Sequence, residues 1–176
     1  ARGLVSRAER VGVVSPMDTS DIARFNMNDN AYPSSLELLV AGQWRGLAGR
    51  DSLPVVNPAT QQEIGRLPVA GRAELDDALE AAERGFKIWS RTAPRIRAQI
   101  ILKAASLLRE RGPIIAPSIT MENGKPLGQA AMEVVRGAEF FEWDAGEAQR
   151  LYGHVVPSAP GIRYTVLREP AGIVAG

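Results

Sequence analysis

Hydrophobic residues recur with helical spacing through the middle of the chain and predict a series of helices. Over residues 72–90, apolar side chains repeat every three or four positions, and acidic residues precede basic ones, an order that complements a helix dipole. A second helix is predicted to begin near Thr92, a suitable N-cap, with Pro94 in its first turn. We expect its buried stripe to consist of Ile96, Ile100, Ala104, Leu107 and Leu108.

The longest predicted helix covers residues 127–152. Its apolar positions are separated by alternating steps of four and three: Leu127, Ala131, Val134, Ala138, Phe141, Ala145, Ala148 and Tyr152. This alternation predicts one continuous buried stripe along the helix. Just before it, Pro117 is expected to cause a kink or an irregular turn, and residues 121–126 have the composition of a turn.

Short strands are predicted on both sides of the helices. Residues 36–44 contain a short strand candidate that is ended by Ala41–Gly42, and together with residues 51–56 and 62–69 they predict a small antiparallel layer. After Gly153 the period changes to two, and residues 154–157 and 162–168 predict a hairpin around the turn at 158–161. Residues 173–175 are apolar without interruption, which is typical of a buried strand in a parallel sheet.

The first 34 residues differ from the rest in composition. They are polar and show no regular period, so we expect residues 1–34 to be loosely ordered and residues 35–176 to form the folded domain. The opening is rich in arginine and poor in acidic residues, a weak resemblance to a transit peptide. The favoured interpretation is that translation begins at Met17 or Met27.

Composition excludes several classes of function. The net charge of +1 shows no basic excess, so nucleic acid is not a predicted partner, and no apolar run is long enough for a membrane helix. Cysteine is absent and His154 is the single histidine, which leaves no thiol nucleophile and no predicted metal site in these residues. We expect a structural or exposed role for His154.

One face of the long predicted helix carries candidate functional residues. Arg136, Phe140, Trp143 and Glu147 are spaced four, three and four apart, opposite the apolar stripe. Exposing two large aromatics costs about 25 cal/mol per Å² of apolar area, so another surface should cover them. Packing against another part of the same fold is the first interpretation, and a ligand tunnel or a subunit contact is the second.

Other polar groups give weaker signals. Lys125 follows Gly124, but the spacing of a phosphate-binding loop is absent, so a helix-ending turn is favoured there. Glu139 and Glu142 are three residues apart and are not favoured as a catalytic pair. No dinucleotide-binding glycine motif occurs in the chain.

The order of several motifs resembles that of the aldehyde dehydrogenase superfamily. They are LLVAGQW, VVNPATQQEIGRLPV, AELDDALEAAERGFKIWS, RAQIILKAASLLRER, MENGKPLGQA, FFEWDAGEAQRLYG and YTVLREPAGIVAG. Together they cover about residues 36–176. The stretch FFEWDAGEAQRLYG followed by VVP is most similar to the succinate-semialdehyde dehydrogenase branch.

The resemblance implies an α/β fold and an oxidoreductase. The fold would be the N-terminal portion of an aldehyde dehydrogenase, with a small β-layer, helices packed on a Rossmann-like parallel sheet, and an oligomerisation hairpin. Members of the family oxidise an aldehyde to a carboxylic acid with NAD or NADP, through a cysteine thiolate, a glutamate that activates water, and an oxyanion-binding asparagine. In the family pattern these groups lie beyond Gly176, so no catalytic or cofactor-binding residue is assigned in this segment. The resemblance therefore implies a segment that is incomplete at its C-terminus. Alone, it is expected to be inactive.

The resemblance also implies roles for two groups of residues. Arg136, Phe140, Trp143 and Asp144 would line the substrate funnel, and Ile162, Tyr164 and Val166 would form the strand that joins a neighbouring subunit in a dimer or tetramer. Asp144 stands where related sequences usually have an apolar or aromatic residue, and its charge would disfavour an anionic substrate. We expect a cytoplasmic location by default because no address signal in the sequence is strong enough to override it.

Two hypotheses follow from the sequence. The first is an N-terminal section of an NAD(P)-dependent aldehyde dehydrogenase, with a semialdehyde as one candidate substrate. The alternative is a non-catalytic oligomerisation or interaction module.

Overall fold

The computed structural model describes residues 32–175, which form three antiparallel strand pairs and four helices. In chain order the elements are β1 (Leu38–Val40), β2 (Gln43–Arg45), β3 (Ser52–Val56), β4 (Glu63–Pro68), α1 (Arg72–Trp89), α2 (Pro94–Glu110), α3 (Gly112–Asn123), α4 (Leu127–Glu147), β5 (His154–Val156) and β6 (Tyr164–Val166). The predicted mixture of helices and antiparallel strands is therefore confirmed. The parallel sheet on which the helices were expected to pack is not among residues 32–175, where the one parallel contact is a bridge between Ser35 and Arg66.

The N-terminal strands form two hairpins instead of one continuous layer. The strand predicted to end at Ala41–Gly42 does end there, because both residues adopt positive φ angles, of 53° and 78°, and reverse the chain. The residues after this turn form β2, which was not predicted as a separate strand. A two-residue turn of this kind matches the twist of an antiparallel pair. β3 and β4 pair antiparallel with a register shift between Val55 and Val56, close to the predicted bounds.

Ion pairs and hydrogen bonds connect the strands to the helices. Arg50 Nη2 donates to Glu74 Oε1 at 2.9 Å, and this bond lowers the pKa of Glu74. Glu74 also accepts the backbone N–H of Gly71 at 3.0 Å, which caps the start of α1. In the last turn of α3, Glu122 Oε1 accepts a hydrogen bond of 2.5 Å from the Tyr32 hydroxyl. Desolvation together with this bond raises the pKa of Tyr32 to about 12. The predicted loose segment over 1–34 otherwise falls outside the described residues.

The core lies where α2 and α3 pack against α4. Its buried side chains are small: Ala116, Ala130, Ala131 and Val134, with Leu108, Ile115, Ile119 and Leu127 packed around them. Alanine lets helix backbones approach closely, and Gly137 does the same for α4, since a Cβ there would lie 3.3 Å from Leu108 Cδ2.

The buried face of α2 differs from the predicted stripe. Ala98 and Ala105 are buried, whereas Ile96 and Ile100 are 41% and 52% exposed, and Ala104 is exposed too. Leu107 and Leu108 are half-buried and Leu108 packs against the core, so the prediction is confirmed for these two leucines and is wrong for the other three residues. Its N-cap is Ala93, and the Thr92 hydroxyl instead donates to the Ile88 carbonyl at 2.9 Å. Pro94 occupies the first turn as predicted.

The remaining helices differ from the predictions in their continuity, their ends and their burial. α3 continues through the buried Pro117, so the expected irregular turn is absent at that residue. α4 ends at Glu147 instead of Tyr152, and Phe141 and Tyr152 of the predicted stripe are exposed. No residue of α1 is buried against the described part of the chain.

The C-terminal hairpin is confirmed, but the strand predicted after it is not. β5 and β6 pair antiparallel, with His154 opposite Val166. Residues 173–175 form no strand, and Val174 is 80% exposed, because no neighbouring strand among residues 32–175 lies beside them. Among the helices described, none combines the length and the apolar composition needed to cross a membrane.

Alanine substitutions at two glycines test whether the turn at Pro58 packs against the end of α3. Gly124 ends α3 with φ of 79°, and a Cβ at this position would lie 2.9 Å from Pro58 Cγ in the turn before β4. Gly42 has φ of 78° with open space around it. Gly42→Ala should lower the free energy of unfolding by about 1–2 kcal/mol through backbone strain. Gly124→Ala should lower it more, because strain and a collision with proline add. Urea denaturation of both variants makes the comparison, and equal losses would show that the Pro58 turn does not pack against α3.

Candidate functional site

The outward face of α4 carries the candidate site. Side chains on a helix turn by roughly 100° per residue, so Arg136, Phe140 and Trp143 share one face, about opposite the buried Ala131, Val134, Ala138 and Ala145. Phe140 is 70% exposed and Trp143 is 68% exposed. The predicted grouping of these three residues agrees with their placement on one face, while their role in binding substrate stays a prediction.

A shallow depression joins these side chains. Its volume is about 470 Å³, and it is lined by Arg136, Glu139, Phe140 and Trp143. Glu139 was not among the predicted funnel residues, although its helical position beside Arg136 and Trp143 could have indicated it. Asp144 is exposed but does not line this depression, because it lies roughly 100° further around the helix than Trp143.

Arg136 supplies the positive charge of the depression. Within residues 32–175, its guanidinium has no hydrogen bond and no ion pair. It also lines a second depression of about 420 Å³ with Lys125, Gln129, Met132 and Glu133. In that depression Lys125 pairs with Glu133, so their charges offset each other and Arg136 is the cation left to meet an incoming anion.

The neighbouring carboxylates have different roles. Glu142 accepts two hydrogen bonds from Arg109 of α2, from Nε to Oε1 and from Nη2 to Oε2, both at 3.0 Å. These bonds raise the pKa of Arg109 above its ordinary value. Glu142 is thus engaged in an ion pair, in agreement with the sequence argument against a Glu139–Glu142 catalytic pair.

The polar side chains at the end of α3 and in the turn before α4 are engaged by other residues. Glu122 accepts the hydrogen bond from Tyr32, and Lys125 pairs with Glu133. Gly124 has the left-handed conformation that ends α3. The turn interpretation of this segment is confirmed, and a phosphate-binding role has no support in the geometry.

The hairpin residues singled out from the sequence lie together on the surface. Tyr164 and Val166 belong to β6, and Ile162 lies just before this strand. All three are exposed, as are His154 and Val156, the β5 residues opposite Val166 and Tyr164. Gly153 lets β6 approach, because a Cβ there would lie only 1.9 Å from the Val166 carbonyl oxygen.

The described residues contain neither a metal site nor a site for a dinucleotide. Residues 32–175 include no group of three or more His, Asp or Glu side chains that could hold a metal ion. Their strands are antiparallel pairs, apart from the single bridge at Ser35, whereas dinucleotides bind at the carboxyl ends of parallel strands. These residues therefore do not fit a nicotinamide cofactor, and none is assigned to hold one.

Comparisons with known proteins agree on one family. The model of the aldehyde dehydrogenase family matches residues 44–176. A succinate semialdehyde dehydrogenase of Acinetobacter baylyi is 39% identical over 138 residues, which are 78% of this chain and 29% of that protein. A 3-sulfolactaldehyde dehydrogenase of Pseudomonas putida is 36% identical over 79% of this chain and 29% of its own length.

The fold agrees with the same family. The crystal structure of an aldehyde dehydrogenase from Brucella melitensis biovar abortus 2308 matches with a TM-score of 0.73 and 35% identity, covering 80% of this chain and 29% of that one. The chain spans about 29% of the length of the curated relatives it matches. This share fits the N-terminal portion of the fold that the order of the motifs predicts.

Proposed function

This chain belongs to the aldehyde dehydrogenase family, and we propose that it is the N-terminal part of an enzyme that oxidises an aldehyde with a distal anionic group. The product would be the corresponding carboxylic acid, and NAD or NADP would accept the hydride. The observation that carries the proposal is the guanidinium of Arg136, which has no hydrogen bond or ion pair within residues 32–175 and lies beside two exposed aromatic side chains on α4.

The chemistry of the depression suits a small amphipathic substrate. Phe140 and Trp143 offer apolar area to a hydrocarbon chain, and Arg136 offers hydrogen-bond donors to a carboxylate or sulfonate at its end. Two relatives are named for aldehydes of this kind, succinate semialdehyde with a carboxylate and 3-sulfolactaldehyde with a sulfonate. A semialdehyde is therefore the favoured substrate class.

Two carboxylates work against an anion in the same region. Glu139 lines the depression, three positions after Arg136. Asp144 lies eight positions after Arg136, about 12 Å along the helix axis. That distance exceeds the Debye length of about 8 Å at physiological salt, so Asp144 acts weakly and direct contact with Arg136 dominates. Of the two carboxylates, Glu139 is the nearer to Arg136 and therefore opposes anion binding more strongly.

Substitutions that change charge at the depression should move affinity in opposite directions. In the complete enzyme, Arg136→Gln should raise KM for an anionic aldehyde about ten-fold through loss of a charged hydrogen bond. Glu139→Gln should lower that KM, and neither variant should change KM for a neutral aldehyde of equal length. Arg84→Gln, which removes an exposed arginine of α1, is the matched control. Steady-state kinetics measure KM for the anionic and the neutral aldehyde. An equal rise in KM for the two aldehydes in Arg136→Gln would refute recognition of the anion.

By itself the chain is proposed to be inactive as a dehydrogenase. The family nucleophile is a cysteine thiolate, and none of the 176 residues is cysteine. The alternative function, a non-catalytic oligomerisation module, is favoured by the exposed β5–β6 hairpin, whose apolar side chains and strand edges could pair with another copy.

Assays on the purified chain separate activity from assembly. With succinate semialdehyde and either NAD or NADP, it should form no reduced nicotinamide above the rate of a blank. Light scattering should give the mass of a defined dimer or tetramer if the hairpin mediates assembly. Aldehyde-dependent reduction of NAD or NADP by the chain would contradict its inactivity, and a monomeric mass would contradict the module.

A further inference from the structure

The ion pair between Arg109 and Glu142 joins two packed helices beside the depression. Both hydrogen bonds are 3.0 Å long, and they match the planar fork of the guanidinium to both carboxylate oxygens. The two side chains are 22% and 36% exposed, which makes them more sheltered than most ion-paired side chains on the surface. Among the described residues, this is the ion pair that connects one helix to another.

The pair acts on the part of α4 that carries the aromatic side chains. Glu142 lies between Phe140 and Trp143 in sequence and borders the buried face, roughly 100° around the helix from Trp143. Because the three side chains lie within four residues of α4, turning this part of the helix about its axis moves Phe140 and Trp143 together with Glu142. A bond that fixes Glu142 therefore fixes the directions of both aromatics.

The two halves of α4 differ in the size of the apolar side chains that pack against them. Near its start, Val134 and the neighbouring alanines contact bulky side chains, including Leu108, Ile115 and Ile119. Near its end, the buried residues are Ala138 and Ala145, whose methyl groups interlock little with a facing helix. Phe141, the large apolar residue of the predicted stripe in this half, is 45% exposed. Directional polar contact at Glu142 therefore determines the rotation of this half.

We propose that Arg109 is a positioning residue for the proposed substrate depression. Through its two bonds to Glu142, it holds the C-terminal half of α4 so that Phe140 and Trp143 face the substrate. This inference rests on the proposed function for its substrate role, while the positioning of Trp143 can be measured without any substrate.

The test uses the complete enzyme labelled with 5-fluorotryptophan. The ¹⁹F resonance of Trp143 is identified by its disappearance in Trp143→Phe. Arg109→Lys keeps the charge but loses the bidentate geometry, so it should shift or broaden this resonance. It should also raise KM for the anionic aldehyde about five-fold, with kcat changed less than two-fold, since geometry and not chemistry is altered.

Two further variants control for charge and for general damage. The exchanged pair Arg109→Glu/Glu142→Arg should restore the Trp143 resonance towards its original position. Arg150→Lys alters an exposed pair with Glu147 after the end of α4 and should change neither readout. Glu142→Gln, close in shape to the native residue, should reproduce the effect of Arg109→Lys if that variant fails to fold.

The outcomes separate the inference from the function on which it rests. An unchanged Trp143 resonance in both Arg109→Lys and Glu142→Gln would overturn the positioning role. A shifted resonance with an unchanged KM would uphold the positioning role and overturn the proposed contact between this face and the substrate.

Discussion

Close packing of α4 through alanine side chains is the constraint on which the rest of the structure depends. Ala130, Ala131, Ala138 and Ala145 are almost completely buried. Their small volume lets α2 and α3 approach the backbone of α4, so each helix pair gains dispersion contacts along its length. The inward face of α4 is thereby fixed, and its outward face is determined by the geometry of a helix.

The outward face follows from this packing and carries the chemistry. Since the alanines point towards α2 and α3, Arg136, Phe140 and Trp143 must point away from them. Exposed aromatics on a well-packed helix indicate a surface that meets another molecule or another part of the complete fold. The Arg136 guanidinium lies between them and the turn at Lys125, pairs with no side chain in the described part of the chain, and gives that surface a preference for anions.

Further contacts restrain α4 near its two ends, in addition to the packing of the alanines. The bidentate pair of Arg109 and Glu142 restrains the C-terminal half, and Gly124 with the adjoining Pro58 turn restrains the connection before α4. Tyr32 adds a bond from the N-terminal segment to Glu122 in the last turn of α3. Residues far apart in sequence thus determine how one helix presents its face.

The sequence predicts α4 well because its apolar period is regular over many turns. The same reasoning fails for α2, which has apolar side chains on two faces. Pattern analysis placed the large Ile96 and Ile100 inside, whereas the contact with α4 requires the small Ala98 and Ala105. The sequence predicts the end of a strand at Ala41–Gly42 but not the reversal into β2, because it does not show that the chain will turn back and pair with itself.

The candidate site is partly predictable for the same reasons. Helical spacing brings Arg136, Phe140 and Trp143 together, and that step needs the local period alone. Glu139 was missed because its charge favoured a solvated position. The partner of Glu142 is Arg109, 33 residues earlier, and a contact over that separation depends on how two helices pack.

A crystal structure of the complete enzyme with its carboxylate product bound would show whether the outward face of α4 binds substrate. We expect the distal anion of the product to contact the Arg136 guanidinium, with the hydrocarbon chain against Phe140 and Trp143. If other protein side chains cover both aromatics and the product lies elsewhere, the outward face of α4 is a packing surface and does not bind substrate.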